Sequence, residues 1–310
     1  IIFTIIITVT LTIDLLSDKI RLSRIKKKTT SNEVYPIRSA AIWSSVWISF
    51  GGIFAIIIYH FLGLQKSLEY LTGYALEKSL SVDNMLVFVL IFTSLGIAHI
   101  HQRKVLMWGI IGAIVMRIGF IMAGISLLET FHWMVYVLGG ILIFASIRMM
   151  VMKQKSTINL DKNIPMRILK KFMPIDTSST DSSFVKKIDG KIYGTVLLVA
   201  LFSVEITDLV FAMDSIPAIL AITTDSFIVV SSNVFAILGL RSLYFLIGGG
   251  IEKLRYLKYG LSTLLVFIGV KLLLSEFVEF PLIPSLVVIF SILGITFALS
   301  MIKPKVDKSQ

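Results

Sequence analysis

The sequence predicts an all-α, polytopic membrane protein with nine transmembrane helices that contain an inverted three-helix repeat. Three observations predict it. Of the 310 residues, 56% are hydrophobic and only 16% charged, whereas a soluble domain of this size carries about 45–50% apolar residues. Apolar runs of about 20 residues, enough for one bilayer crossing, recur along the chain with basic loops on alternate sides. Three consecutive runs also appear twice, with their charged residues in register.

The runs fall near 1–16, 40–62, 72–96, 104–128, 132–152, 192–221, 227–250, 256–275 and 282–302. The first starts at Ile1 and is expected to be clipped; no basic segment or small-residue cleavage site frames it, so it reads as a span. Lys19, Arg21, Arg24, Lys26, Lys27, Lys28 and Arg38 follow the first run, and Arg103 and Lys104 the third. A dense basic set from Lys153 to Lys191 follows the fifth, Lys253, Arg255 and Lys258 the seventh, and Lys303, Lys305 and Lys308 the ninth. The other loops hold Lys66 and otherwise acids such as Glu69, Glu129, Asp225, Glu276 and Glu279. This asymmetry predicts an outside N-terminus and a cytoplasmic C-terminus. It also accounts for the net charge of +11 without nucleic acid.

The organisation that follows is a first helix with its basic cytoplasmic loop (1–39), a first membrane half (40–152), a cytoplasmic linker (153–190), a second membrane half (191–302) and a cytoplasmic tail (303–310). The linker, rich in Lys, Ser and Thr and containing Pro165 and Pro174, reads as a solvated tether.

Shifting the chain by 131 residues lays Glu77 on Asp208, Asp83 on Asp214 and Asn84 on Ser215. In the next run Arg117 matches Arg241 at a shift of 124. At a shift of 123, Tyr136, Leu138, Leu142, Phe144 and Arg148 fall on Tyr259, Leu261, Leu265, Phe267 and Lys271. Runs three to five therefore recur as runs six to eight. Because the unit has an odd number of spans, its second copy crosses in the opposite sense, the arrangement in which secondary transporters hold substrate near the midplane.

A carboxylate at the centre of a membrane helix costs about 2.5–3.5 kcal/mol on insertion scales, so five of them imply a purpose. Glu77 and Asn84, seven residues apart, share a helix face, as do Asp208 and Ser215; Glu205 lies one turn from Asp208. Asp83 and Asp214 point about 120° away on a regular helix. Pro217 has no N–H for the carbonyl of Met213, which predicts a kink or unwinding beside Asp214. Without such a break, Asp83 and Asp214 would face a partner helix and Arg117 or Arg241. Glu77, Asp83, Asn84, Glu205, Asp208 and Asp214 form a hard, oxygen-rich candidate metal set suited to Mn²⁺, Mg²⁺ or Ca²⁺. Arg117 and Arg241 are the candidate ion-pair or gating cations, and Lys78 is expected to pair with a carboxylate. The chain has no cysteine, which excludes disulfides and thiolate ligands. It shows no haem-ligand pattern or nucleophile motif, so neither an enzyme nor a bound cofactor is expected; the partners expected are a divalent cation and the lipid bilayer.

Glu77-Lys78-Ser79-Leu80-Ser81-Val82-Asp83-Asn84, the stretch Ser203 to Ala218 containing Glu205, Asp208, Asp214 and Pro217, and Gly239-Leu240-Arg241-Ser242 resemble the signature segments of the TerC family, in particular its Alx-like bacterial members. The resemblance spans nearly the whole membrane region. It implies a nine-helix inner-membrane protein of the LysE-type transporter superfamily, associated with manganese export and, by older naming, with tellurite resistance. Carried over by motif, Glu77, Asp83, Asn84, Glu205, Asp208 and Asp214 are the ion-pathway residues. The rival expectation is a membrane scaffold or assembly factor, since plastid relatives are linked to thylakoid biogenesis.

Overall fold

The computed structural model describes residues 37–151, 164–176, 183–188, 190–248, 256–275, 277–278 and 280–301. The predicted first span at 1–16 and the tail at 303–310 lie outside them, as does the side chain of Asp83.

Helix α1 (Ile37–Ser94) runs for 58 residues, which at about 1.5 Å each is far longer than a bilayer core of about 30 Å. It is not straight. Gly63 leaves the helical region at φ 86° and ψ 175°, a conformation that costs glycine little because it has no Cβ. The chain folds back there: Ser67 Oγ donates to the Ala55 carbonyl over 2.8 Å, the Phe54 and Tyr70 rings meet edge-on at 5.4 Å, and Tyr74 packs on Gly51. The two antiparallel arms, 37–62 and 64–94, carry the runs predicted at 40–62 and 72–96.

Helices α2 (His99–Thr130) and α3 (Met134–Val151) match the next two runs. The segment read as a tether is instead partly folded. It contains helix α4 (Ile164–Phe172) and strands β1 (Ile175–Asp176) and β2 (Val185–Ile188), while strand β3 (Lys191–Thr195) takes up the start of the run predicted at 192–221; the sheet order is β1-β3-β2, so the chain is not purely helical. β1 pairs parallel to β3, and β2 antiparallel, with Val185 opposite Gly194 and Ile188 opposite Lys191. The fold has a physical cause that composition hides: Met166 and Leu169 are buried in one cluster with Val199, and Lys104 Nζ lies 4.7 Å over the Phe184 ring.

β3 passes directly into α5 (Val196–Leu220). The run predicted at 227–250 is two helices, α6 (Ser226–Ile237) and α7 (Leu240–Gly248), bent by 40°. Gly239 sits at the break with φ 81°. A Cβ on it would lie 2.5 Å from Trp47 Cγ, so both the backbone conformation and the packing demand glycine. Helices α8 (Leu257–Leu274) and α9 (Leu282–Met301) complete the described chain. Taken as units, five described helices are long and apolar enough to cross a membrane, and six if the bent pair is one span; Tyr259–Leu274 is apolar but shorter. The closest packing is of α3 on α8, α1 on α6 and α7, and α2 on α5.

Asp225 caps α6, accepting from the N–H groups of Phe227 and Ile228, and Lys66 Nζ bridges it (3.0 Å) to the buried Glu69 (3.1 Å). Partial burial alone would raise the Asp225 pKa, but the Lys66 ammonium and the two N–H groups outweigh it and hold the carboxylate below its ordinary value. Replacing Asp225 with Ala is expected to cost about 1 kcal/mol, mainly through the lost cap. Because the folded pKa is depressed, the ionised group stabilises fully above the ordinary carboxylate value of about 4 and less as pH falls through the folded value. The gap in melting temperature between wild type and Asp225→Ala should therefore narrow in acid.

Candidate functional site

The site forms where α1, α2, α5 and α6 meet. Small residues let α2 and α5 approach closely and in the same direction: Gly109 faces Val204, and Gly124 faces Leu220 and Ile216. This brings Arg117 of α2 beside Asp208 of α5. The guanidinium grips the carboxylate bidentately, NH2 to Oδ1 at 2.9 Å and Nε to Oδ2 at 3.2 Å. Its NH1 donates to Glu77 Oε1 of α1 and reaches Asn233 Oδ1 of α6 at 3.4 Å. Arg117, Glu77 and Asn233 are each 1% exposed and Asp208 4%. One cation thus serves two carboxylates from different helices, α1 and α5, and three elements besides its own depend on it.

Of the predicted residues, Glu77 and Asp208 are united here. Asn84 is buried on the same arm of α1, two turns beyond Glu77. Glu205 lies half-buried against Gly112, whose missing side chain leaves room for it, and its Oε2 has no hydrogen-bond partner among the described residues. Ser215 Oγ is likewise buried without one. Arg241 is buried at the second position of α7.

Asp214 does not join the cluster. α5 continues as a helix through Pro217 to Leu220, and the Ala221 N–H still bonds the Pro217 carbonyl over 3.1 Å. The missing N–H leaves the Met213 carbonyl without its usual donor, yet the helix keeps its path on both sides of the proline. The predicted unwinding beside Asp214 is therefore absent, and Asp214, six residues from Asp208, turns toward another helix, within electrostatic reach of Arg148 on α3. The break that sequence places at Pro217 occurs instead at Gly239.

Lys78 also departs from expectation. Its ammonium donates to the carbonyls of Ala236 (3.0 Å) and Leu238 (3.2 Å), at the end of α6, rather than to a carboxylate. Asn233 escapes the sequence reading altogether; the polar triplet Ser231-Ser232-Asn233 inside an apolar run is the available signal. Among the described residues no three His, Asp or Glu side chains are gathered to hold a metal. The cation held between Glu77 and Asp208 is the guanidinium.

Comparison with known proteins fits this architecture. Residues 62–308 match the model of the integral membrane protein TerC family. A membrane protein of Myxococcus xanthus, STKORF319, described as uncharacterized, is 42% identical over 272 residues, 88% of this chain and 85% of its own. The proposed membrane-bound redox modulator Alx of Escherichia coli strain CFT073 is 38% identical over 306 residues, covering 96% of this chain and 92% of its own. An uncharacterized membrane protein of Rickettsia bellii is 34% identical over 279 residues, 90% of this chain and 92% of its own. No solved structure matches. With the family model spanning most of the chain and relatives of this identity matching along nearly their whole length, the chain belongs to the TerC family of integral membrane proteins, homologous to the Alx-like proteins.

Proposed function

We propose that the chain is a secondary transporter that exports divalent cations, Mn²⁺ foremost, across the bacterial inner membrane, with Glu77 and Asp208 as the central ligands. The observation that carries this reading is two buried carboxylates, from different helices, converging on one cation supplied by Arg117. A divalent ion entering the site displaces the guanidinium and takes over its carboxylates; Asn233 Oδ1 offers a further oxygen of the hard type that Mn²⁺ accepts, and Asn84 and Ser215, two turns away on their helices, lie along the route. Asp83, Glu205 and Asp214 then belong to the route to and from the site. Arg117 returns when the ion leaves, so the empty carboxylates are never left uncompensated.

The reading includes nine spans, an outside N-terminus and two inverted halves. Packing supports the inverted halves. α3 and α8, equivalent in the repeat at a shift of 123, meet antiparallel: the Gly139 and Gly269 backbones touch, and Ser146 Oγ donates to the Ser262 carbonyl over 2.7 Å. The same shift turns residue 139 into 262 and residue 146 into 269, so each contact maps onto the other. α1 against α6–α7 and α2 against α5 exchange in the same way. The redox name of the relatives accords with a redox-active metal as cargo, since the chain has no cysteine for thiol exchange of its own.

Proteoliposomes loaded with a Mn²⁺-sensitive dye test the proposal. Asp208→Asn, which keeps the Arg117–Glu77 pair, is expected to slow Mn²⁺ flux about tenfold or more, equivalent to about 1.4 kcal/mol, while the purified protein stays monodisperse. Equal flux in wild type and variant would refute the site. Unchanged flux with lost membrane-protein assembly in cells would favour the scaffold role.

A further inference from the structure

Lys78 occupies a position that a metal-transport reading does not use. Its ammonium sits on two backbone carbonyls, Ala236 at 3.0 Å and Leu238 at 3.2 Å, where α6 ends and the chain turns through Gly239 into α7. The last carbonyls of a helix lack intrahelical donors and carry the negative end of its dipole, equivalent to about half an elementary charge. In an apolar interior such a broken end is a cation cradle, and half-helix C-terminal ends of this kind hold coupling cations in membrane carriers. Here a side chain fills it. Lys78 reaches it from the neighbouring α1, one residue after Glu77, whose own side chain reaches the other way to Arg117.

We propose that Lys78 is a tethered substitute for a monovalent coupling cation: the Ala236 and Leu238 carbonyls form a Na⁺- or K⁺-class site that the ammonium keeps permanently filled. The wild-type chain then needs neither Na⁺ nor K⁺, because the site is never vacant. Removing the ammonium opens the site to the free ion. Adjacent residues of α1 thereby hold two cation-dependent contacts of opposite polarity, a carboxylate on the α2 arginine and an ammonium on the broken α6–α7 element, so a movement of this arm loosens both together.

The experiment is a melting series of the full-length purified protein in NaCl, KCl or choline chloride at constant ionic strength, and it does not depend on what the Glu77–Asp208 site transports. Wild type and Lys78→Arg should melt at one temperature in all three salts. Lys78→Ala and Lys78→Met, the second keeping most of the apolar stem, should melt several degrees lower in choline and recover saturably in Na⁺ or K⁺. A wild type selectively stabilised by Na⁺ or K⁺ would overturn the inference without recourse to any variant. So would variants that are destabilised equally in all three salts, which would make Lys78 a structural stitch between α1 and α6.

Discussion

Arg117→Ala is expected to abolish the folded protein rather than merely slow it. Removing the guanidinium leaves Glu77 and Asp208 buried without a counter-charge, and breaking one partner of a buried pair costs about 3–5 kcal/mol. That is a large share of the total stability of a typical domain. Arg117→Lys should rescue only partly, because a single ammonium cannot reproduce a bidentate grip on Asp208 together with a bond to Glu77. The decisive comparison is with the apolar triple variant Arg117→Met, Glu77→Met, Asp208→Leu. Replacing a whole buried ionic cluster by apolar residues of similar volume is often close to neutral for stability. The triple variant should therefore recover a monodisperse size-exclusion peak and a near wild-type melting temperature, yet carry no Mn²⁺. A triple variant that both folds and transports would place the cargo elsewhere.

Gly239→Ala is expected to be strongly destabilising, because it strains both the backbone and the packing. At φ 81° a non-glycine residue costs roughly 1–2 kcal/mol, and the added Cβ would meet Trp47 Cγ and Cβ at 2.5 and 2.6 Å, forcing a repacking that costs about 1–3 kcal/mol more. The sum, about 3 kcal/mol, should appear as a clear fall in melting temperature. Combining it with Trp47→Ala should recover the steric part relative to Trp47→Ala alone and leave the backbone part. If Gly239→Ala melts like wild type, the α6–α7 break has no demand for glycine.

These two positions also show what is legible in the sequence. Glu77 and Asp208 declare themselves through the cost of a carboxylate in an apolar run, a signal that needs no tertiary information. Arg117 is visible for the same reason, but that it grips both acids depends on the close approach of α2 to α5, which rests on glycines whose partners no sequence window contains. Asn233 is uncharged and cheap enough to bury that it raises no such alarm. Proline carries a local rule, so the sequence points to Pro217 as the helix break. The real one, at Gly239, is imposed by Trp47 and by the Lys78 ammonium, residues 192 and 161 positions away in the chain. Asp214 is misplaced with it: without an unwound turn, six residues on a helix cannot share a face. The linker errs in the other direction, since its polar composition conceals a short strand, Val185–Ile188, that pairs with β3.

The meeting of α3 and α8 has the form of a symmetric homodimer interface, in which one patch meets itself and every contact occurs twice with roles exchanged. In a true homodimer the two occurrences are identical by necessity. Here they are joined in one chain and have diverged: one is a bare approach of the Gly139 and Gly269 backbones, the other a hydroxyl-to-carbonyl bond from Ser146 to Ser262. If the halves were perfect copies, the conformation open to one side of the membrane and its mirror open to the other would have equal energy. On the proposed transporter reading, a hydrogen bond present at one of the paired contacts and missing from its counterpart makes those two conformations unequal in energy, so such a transporter would have a resting orientation even with no ion gradient across it.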